Sequence, residues 1–137
     1  MADRSPLAEV VRSARTIAVV GLSRKPERPS YGVASYLQRE GYRIIPVNPA
    51  GGVNLGETVY PDLRRAAQAA GPIDIVNIFR RSEYIPALLD QMLEVRPKLV
   101  WMQQGIRHNA VAQQLEQAGI MVVMDRCLAV DHQMLVM

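Results

Sequence analysis

Between Thr16 and Gly32 the chain reads TIAVVGLSRKPERPSYG: an apolar run closes on a glycine, a hydroxyl follows two residues later, and a basic loop leads into the next helix. These residue types in this order suit a phosphate site. Gly21 lets backbone approach a ligand closely, and Ser30 is a natural N-cap. The free N–H groups and dipole of the helix behind it would face an anion. Arg24, Lys25 and Arg28 set positive charge beside it. The alternative is that Gly21 only makes a turn and the cations are a solvated rim; the strand–glycine–helix context favours phosphate.

The residues after the other apolar runs add to this. They are Asn48-Pro49, Arg80-Arg81-Ser82, Gln103-Gln104-Gly105-Ile106-Arg107 and Asp125-Arg126-Cys127. With Arg24, four of five such ends carry arginine. If they share one rim, the local field suits a ligand with several phosphates. Against this, Arg15, Arg43 and Lys98 stand at the opposite ends, as they would if arginine were simply the preferred surface cation.

Other chemistries fit less well. A dinucleotide fingerprint needs glycines where Ser23 and Pro26 stand, and an acidic residue where Asn48 and Pro49 stand. Ser23, Asp125 and His132 lack the nucleophile elbow of a hydrolase triad, so no catalytic residue is assigned. His108 reads as a helix start at the surface. Cys127 reads as a small buried hydrophobe, with a reactive thiol near a ligand as the alternative.

The elements that must hold these residues alternate. Strands are expected at Thr16–Val20, Arg43–Val47, Ile73–Phe79, Lys98–Met102 and Ile120–Met124. Helices are expected at Leu7–Ser13, Tyr31–Glu40, from Pro61 to about Ala70, from a Ser82 cap to about Val95, and at Asn109–Ala118. The run IAVV has no polar alternation, as in a strand buried on both faces. The expected fold is therefore α/β: one Rossmann-like, doubly wound domain over residues 1–137 with a mainly parallel five-stranded sheet. Its ligand belongs outside the C-terminal strand ends. The apolar tail Leu128–Met137 is unassigned between crossing the sheet edge and meeting another subunit as a homo-oligomer contact.

The 137 residues are 49% hydrophobic and 21% charged, with a net charge of +3 from 14 arginines and two lysines against 13 carboxylates. That is an ordinary globular balance. With Phe79 and Trp101 as the sole Phe and Trp, no aromatic–basic stripe supports nucleic-acid binding. No apolar run approaches the roughly 20 residues of a membrane span. One cysteine and no charged-then-apolar leader point to the reducing cytoplasm. Two histidines without repeated ligand spacing point to no metal.

Taken together, IAVVGLSRKPERPSYGVASYLQREGYRIIPVNP, GETVYPDL, IDIVNIFRRSEYIP, VWMQQGI and VVMDRC resemble the CoA-binding domain family. They are similar to the N-terminal domain of the succinyl-CoA synthetase alpha subunit, from about Thr16 to Cys127. The resemblance implies a Rossmann-like domain binding coenzyme A or an acyl-CoA. It places a ligand-contacting turn on Gly21, Leu22, Ser23 and Arg24, and a second contact on Met102, Gln103 and Gln104. Two departures stand out: the synthetase's contacting lysine falls near Gly51, and its acidic residue is Gln104 here. The synthetase's phosphohistidine and ATP-binding partner lie outside the matched text, so ligase activity is not expected. Within this frame Gly21, Ser23 and Ser30 are assigned to the diphosphate, and Arg24, Arg28 and Arg80 to phosphate charge. Tyr31, Val47, Pro49 and Phe79 are assigned as walls, and Asn48, Gln103 and Gln104 as polar contacts. The rival readings are a nucleotide-dependent oxidoreductase and a regulatory or interaction module with a vestigial CoA site.

Overall fold

In a computed structural model that describes residues 4–136, five strands form one sheet. They are β1 (Thr16–Val20), β2 (Arg43–Val47), β5 (Ile75–Ile78), β6 (Leu99–Met102) and β7 (Met121–Val123), in the order β2-β1-β5-β6-β7. Every neighbouring pair is parallel; Ile17, for instance, is in register with Ile44 on one side and Ile75 on the other. The strand order reverses between β1 and β5. In such sheets the crevice at that switch, beyond the C-terminal ends, is where ligands bind.

Alternation along β1 explains why the strand has no polar face. Ala18 and Val20 enter one buried layer, with Leu63 and Ala66 of α3 (Leu63–Ala70), Met92 of α4 (Leu89–Val95), and Val111 and Leu115 of α5 (Asn109–Gln117). Ile17 and Val19 enter the other, with Val11 of α1 (Pro6–Ser13), Ala34 and Leu37 of α2 (Pro29–Arg39), and Leu128 and Leu135 of α6 (Leu128–Leu135). A sheet covered on both faces requires strands that are apolar throughout. The α/β doubly wound, Rossmann-like arrangement is thus as the sequence implies.

Several local expectations are corrected. The stretch 48–61 contains a short antiparallel hairpin, β3 (Val53–Asn54) and β4 (Glu57–Thr58). It leads to Tyr60, whose N–H donates to Pro46 O and whose carbonyl accepts from Asn48 N. This closes the open edge of β2, where a proline without an N–H is tolerated. Asp62, not Pro61, opens α3, because its carboxylate accepts the Arg65 N–H at 2.8 Å. Ser82 does not cap its helix. Arg81 takes that position, the segment Ser82–Leu88 around Pro86 is 3₁₀, and the Ser82 hydroxyl accepts from Arg107 N. Ser30 is likewise not a cap: Pro29 takes the first helical position, so the boundary falls on Arg28. His108 does start α5, its Nδ1 accepting from Val111 N.

Of the tail, Leu128–Leu135 forms α6, packed on α1 and α2 of its own chain, and Met137 lies outside the described residues. Its buried edge carries Leu128, Asp131, His132 and Leu135, while Val130 and Met134 are 58% and 74% exposed.

Candidate functional site

The segment from Gly21 to Ser30 runs from the end of β1 to the start of α2, and each polar group along it has a defined task. Gly21 has φ +88°, donates its N–H to Val47 O, and passes so close to β5 that a Cβ would stand 3.2 Å from Phe79 O. Glycine is required there on both counts. Ser23 N donates to Ser30 Oγ and Lys25 N to Ser23 Oγ, each at 3.0 Å. Both hydroxyls therefore act as acceptors within the loop and keep an O–H for an outside partner. Asn48 and Asn54 donate to the carbonyls of Leu22 and Ser23. In α2, Tyr31 N and Gly32 N both bond back to Arg28 O. Pro29 has no N–H, so Ser30 N is the first-turn donor left open among the described residues.

This loop overlooks a cleft of about 620 Å³ at the switch point, lined by Gly21, Ser23, Lys25, Arg28, Pro29, Ser30, Val33, Phe79, Gln103, Gln104, Ile106 and Cys127. A smaller cavity of about 250 Å³ lies across the same loop, against Arg24, Asn48, Asn54 and Val59. The cleft thus has one cationic, hydroxyl-bearing side and one apolar side, with an amide and a thiol at its far end. Among the described residues, Arg24, Lys25, Arg28 and Arg80 form no ion pair with a carboxylate. Glu27 is the one acid in the loop, leaving it two positive charges in excess. A multiply charged anion placed here would meet donors held in place before it arrives.

Of the residues assigned from sequence, Gly21, Ser23, Arg28, Ser30, Phe79, Gln103 and Gln104 come together around the larger cleft, and Leu22, Arg24 and Asn48 around the smaller cavity. Leu22 is buried in the α1–α2–α6 layer, so it offers backbone only. Val47, assigned as a wall, and Met102, assigned as a ligand contact, line neither cavity. Strand alternation turns both side chains down into the α3–α4–α5 layer, beneath the cleft floor. Tyr31, Pro49 and Arg80 line neither cavity. Arg24 lies over Gly52, where any Cβ would collide with its guanidinium, and its Nε donates to Val53 O. Of the other arginines that follow strands, Arg126 is turned to Asp131 and Arg81 lies near Glu83.

Pro29, Val33 and Ile106 line the cleft without having been assigned to it, alongside Lys25, read from sequence as charge beside the phosphate, and Cys127, whose alternative reading was a thiol near a ligand. Lys25 and Pro29 were legible, since they sit inside the basic loop. Val33 and Ile106 were not, because their facing depends on how α2 and the turn after β6 are rotated against the sheet.

The imagined Ser23–Asp125–His132 triad does not assemble. Asp125 Oδ1 accepts Gly105 N at 2.7 Å, whereas His132 Nδ1 is 2.8 Å from Tyr36 Oη, between α6 and α2. Burial holds His132 below the ordinary histidine range, and pushes the Tyr42 phenol beside it up to about 12. Among the described residues no group of three or more His, Cys, Asp or Glu is placed to hold a metal. No described helix is long and apolar enough to cross a membrane.

Known proteins share this sequence pattern and this fold. The sequence pattern of the CoA binding domain family matches residues 15–133. The chain is 40% identical over 130 residues to the uncharacterized protein YneT of Bacillus subtilis (strain 168), covering 95% of this chain and 94% of that one. A Thermus thermophilus structure described as cell-free ID.343 is 41% identical, with a TM-score of 0.89 over 94% of this chain and 96% of that one. A hypothetical protein from Pyrococcus horikoshii OT3 is 28% identical, with a TM-score of 0.86 over the whole of both chains.

Proposed function

The chain belongs to the CoA binding domain family, and from that premise we propose that it binds coenzyme A or an acyl-CoA in the cleft beyond β1 and β5, without ligase chemistry of its own. The observation that carries this reading is the loop Gly21–Ser30. Among the described residues its three cations have no carboxylate partner, and its two serine hydroxyls and the Ser30 N–H stand beside a cleft of about 620 Å³.

The roles follow from chemistry. Ser23, Ser30 and the close backbone at Gly21 receive the diphosphate, and Arg28 and Lys25 neutralise it from the cleft side. Arg24, facing the smaller cavity, is placed for a further phosphate. Val33, Phe79 and Ile106 give the apolar wall along which the pantetheine arm lies. Arg80 remains a candidate for phosphate charge, and Tyr31 and Pro49 for the adenine, through side chains that line neither cavity here. A redox dinucleotide is less well served, because Asn48, at the end of β2, is tied to Leu22 O and Ala50 N and offers no carboxylate to a ribose. We further read the chain as one domain acting in the cytoplasm.

Calorimetric titration of the purified protein with CoA, acetyl-CoA, NAD and FAD tests the proposal. CoA or its acyl ester is expected to bind at least about tenfold more tightly than either dinucleotide, a difference of about 1.4 kcal/mol. NAD binding equally or more tightly would overturn it.

A further inference from the structure

We propose that Cys127 is an attachment site for the sulfur end of the ligand: an amide-bearing thiol carried on a phosphorylated nucleotide, presented as its disulfide, exchanges with Cys127 and stays as a mixed disulfide. This rests on the CoA reading above and extends it from reversible occupancy to a covalent, redox-dependent one. Cys127 is half-buried and lines the same cleft as Lys25 and Arg28. It occupies the N-cap of α6 without making a side-chain cap bond.

The backbone on either side of the thiol is fixed. Arg126 O accepts the Trp101 Nε1–H at 2.7 Å, and Leu128 N donates to Gln103 Oε1 at 2.9 Å. The thiol is therefore presented from a rigid position.

One buried amide, independently of the thiol, points to a ligand at this end of the cleft. Gln103 is only 5% exposed and lines the cleft. Its Oε1 accepts from both Leu128 N and Asn77 Nδ2. The backbone donor fixes the amide's orientation, so the group left for the cleft is Nε2–H, which has no partner among the described residues. Directly behind it Asn77 is fully buried, and its Oδ1 also has no partner there. Buried polar groups of this kind are rarely left open without a purpose. The unpaired Gln103 Nε2–H facing the cleft matches the carbonyl of an amide. The arm that carries the ligand's sulfur is built from amides.

In the exchange the Cys127 thiolate attacks one sulfur of the ligand's disulfide. That S–S bond breaks as the new one forms, and the departing half leaves as a thiolate that takes the proton Cys127 gave up. One disulfide is consumed and one made, so no other oxidant enters.

Intact-mass measurement of the wild-type protein incubated with CoA disulfide, against the same concentration of 2-hydroxyethyl disulfide, decides the matter. With a single cysteine in the chain, one CoA adduct is expected per molecule. It should be removed by dithiothreitol and absent in Cys127→Ser. It should form at least about tenfold faster than the hydroxyethyl adduct, because binding raises the local concentration at the thiol. A CoA adduct that forms no faster than the hydroxyethyl one, or not at all, overturns the attachment site. Titration of the reduced protein with reduced CoA separates the two claims: binding without preferential exchange removes only the attachment, whereas no binding removes the CoA reading as well.

Discussion

The two ends of the sheet use similar charges in opposite ways. At the N-terminal end the Asp74 carboxylate spans the sheet: its Oδ2 accepts from Arg15 N and Thr16 N at 2.9 and 3.1 Å, and its Oδ1 lies 3.8 Å from Lys98 Nζ. Arg43 donates to Ala70 O and meets Glu57, and Arg64 holds Glu94. At the C-terminal end Arg24, Lys25, Arg28 and Arg80 have no acid partner among the described residues, and the amides of Asn77 and Gln103 are incompletely paired. Charge that is answered within the chain contributes to folding; charge left without an answer is available to a ligand.

The sharpest way to break this contrast is to remove charge at one end and then at the other. Lys25→Ala combined with Arg28→Ala should weaken CoA binding by about 3 kcal/mol, from charged hydrogen bonds worth about 1.5–3 kcal/mol each. The urea midpoint should be unchanged. Calorimetry and chemical denaturation on the same samples check this, and a stability loss with full affinity would invert the assignment of the two ends. Asp74→Ala should do the reverse. Leaving two backbone donors at the N-terminal end of β1 short of an acceptor costs about 1–2 kcal/mol of stability, with CoA affinity unaltered.

A smaller effect tests the packing of α6 against Tyr36 and Tyr42. Burial keeps the His132 pKa low in the folded protein, so as pH falls below the ordinary value of 6.5 the unfolded chain binds a proton first. Stability that is complete above that pH is lost progressively as pH falls toward the folded-state value. Urea midpoints measured at pH 7.5, 6.5 and 5.5 should decline more steeply for the wild type than for His132→Gln. Smallest of all, Arg43→Ala removes a half-exposed pair and should cost under about 1 kcal/mol, without touching affinity.

The same contrast explains what could be read from the sequence. Strand positions were legible because burial on both faces forbids polar residues in β1 and leaves an unbroken apolar run. The basic loop was legible because its residues are contiguous. Side-chain facing was not: Val47 and Met102 end their strands beside the cleft, yet pleating sends both into the lower core layer. Nor was pairing. Arg126 and Arg80 both follow strands, but Asp131, one helical turn further on in α6, claims Arg126. The tail could not be placed because its apolar residues serve two surfaces, Leu128 and Leu135 inward and Val130 and Met134 outward.

The central claim is that the Gly21–Ser30 loop and its cleft hold the ligand while the opposite end of the sheet serves the fold. Amide chemical-shift mapping during a CoA titration tests it most directly. The account predicts the largest shifts at Gly21, Ser23, Lys25, Ser30 and Gln103, with Thr16, Arg43 and Asp74 unmoved. Shifts centred instead on Arg64, Gly71 and Glu94, which line a cavity of about 430 Å³ at the opposite end, or none at millimolar CoA, would contradict it.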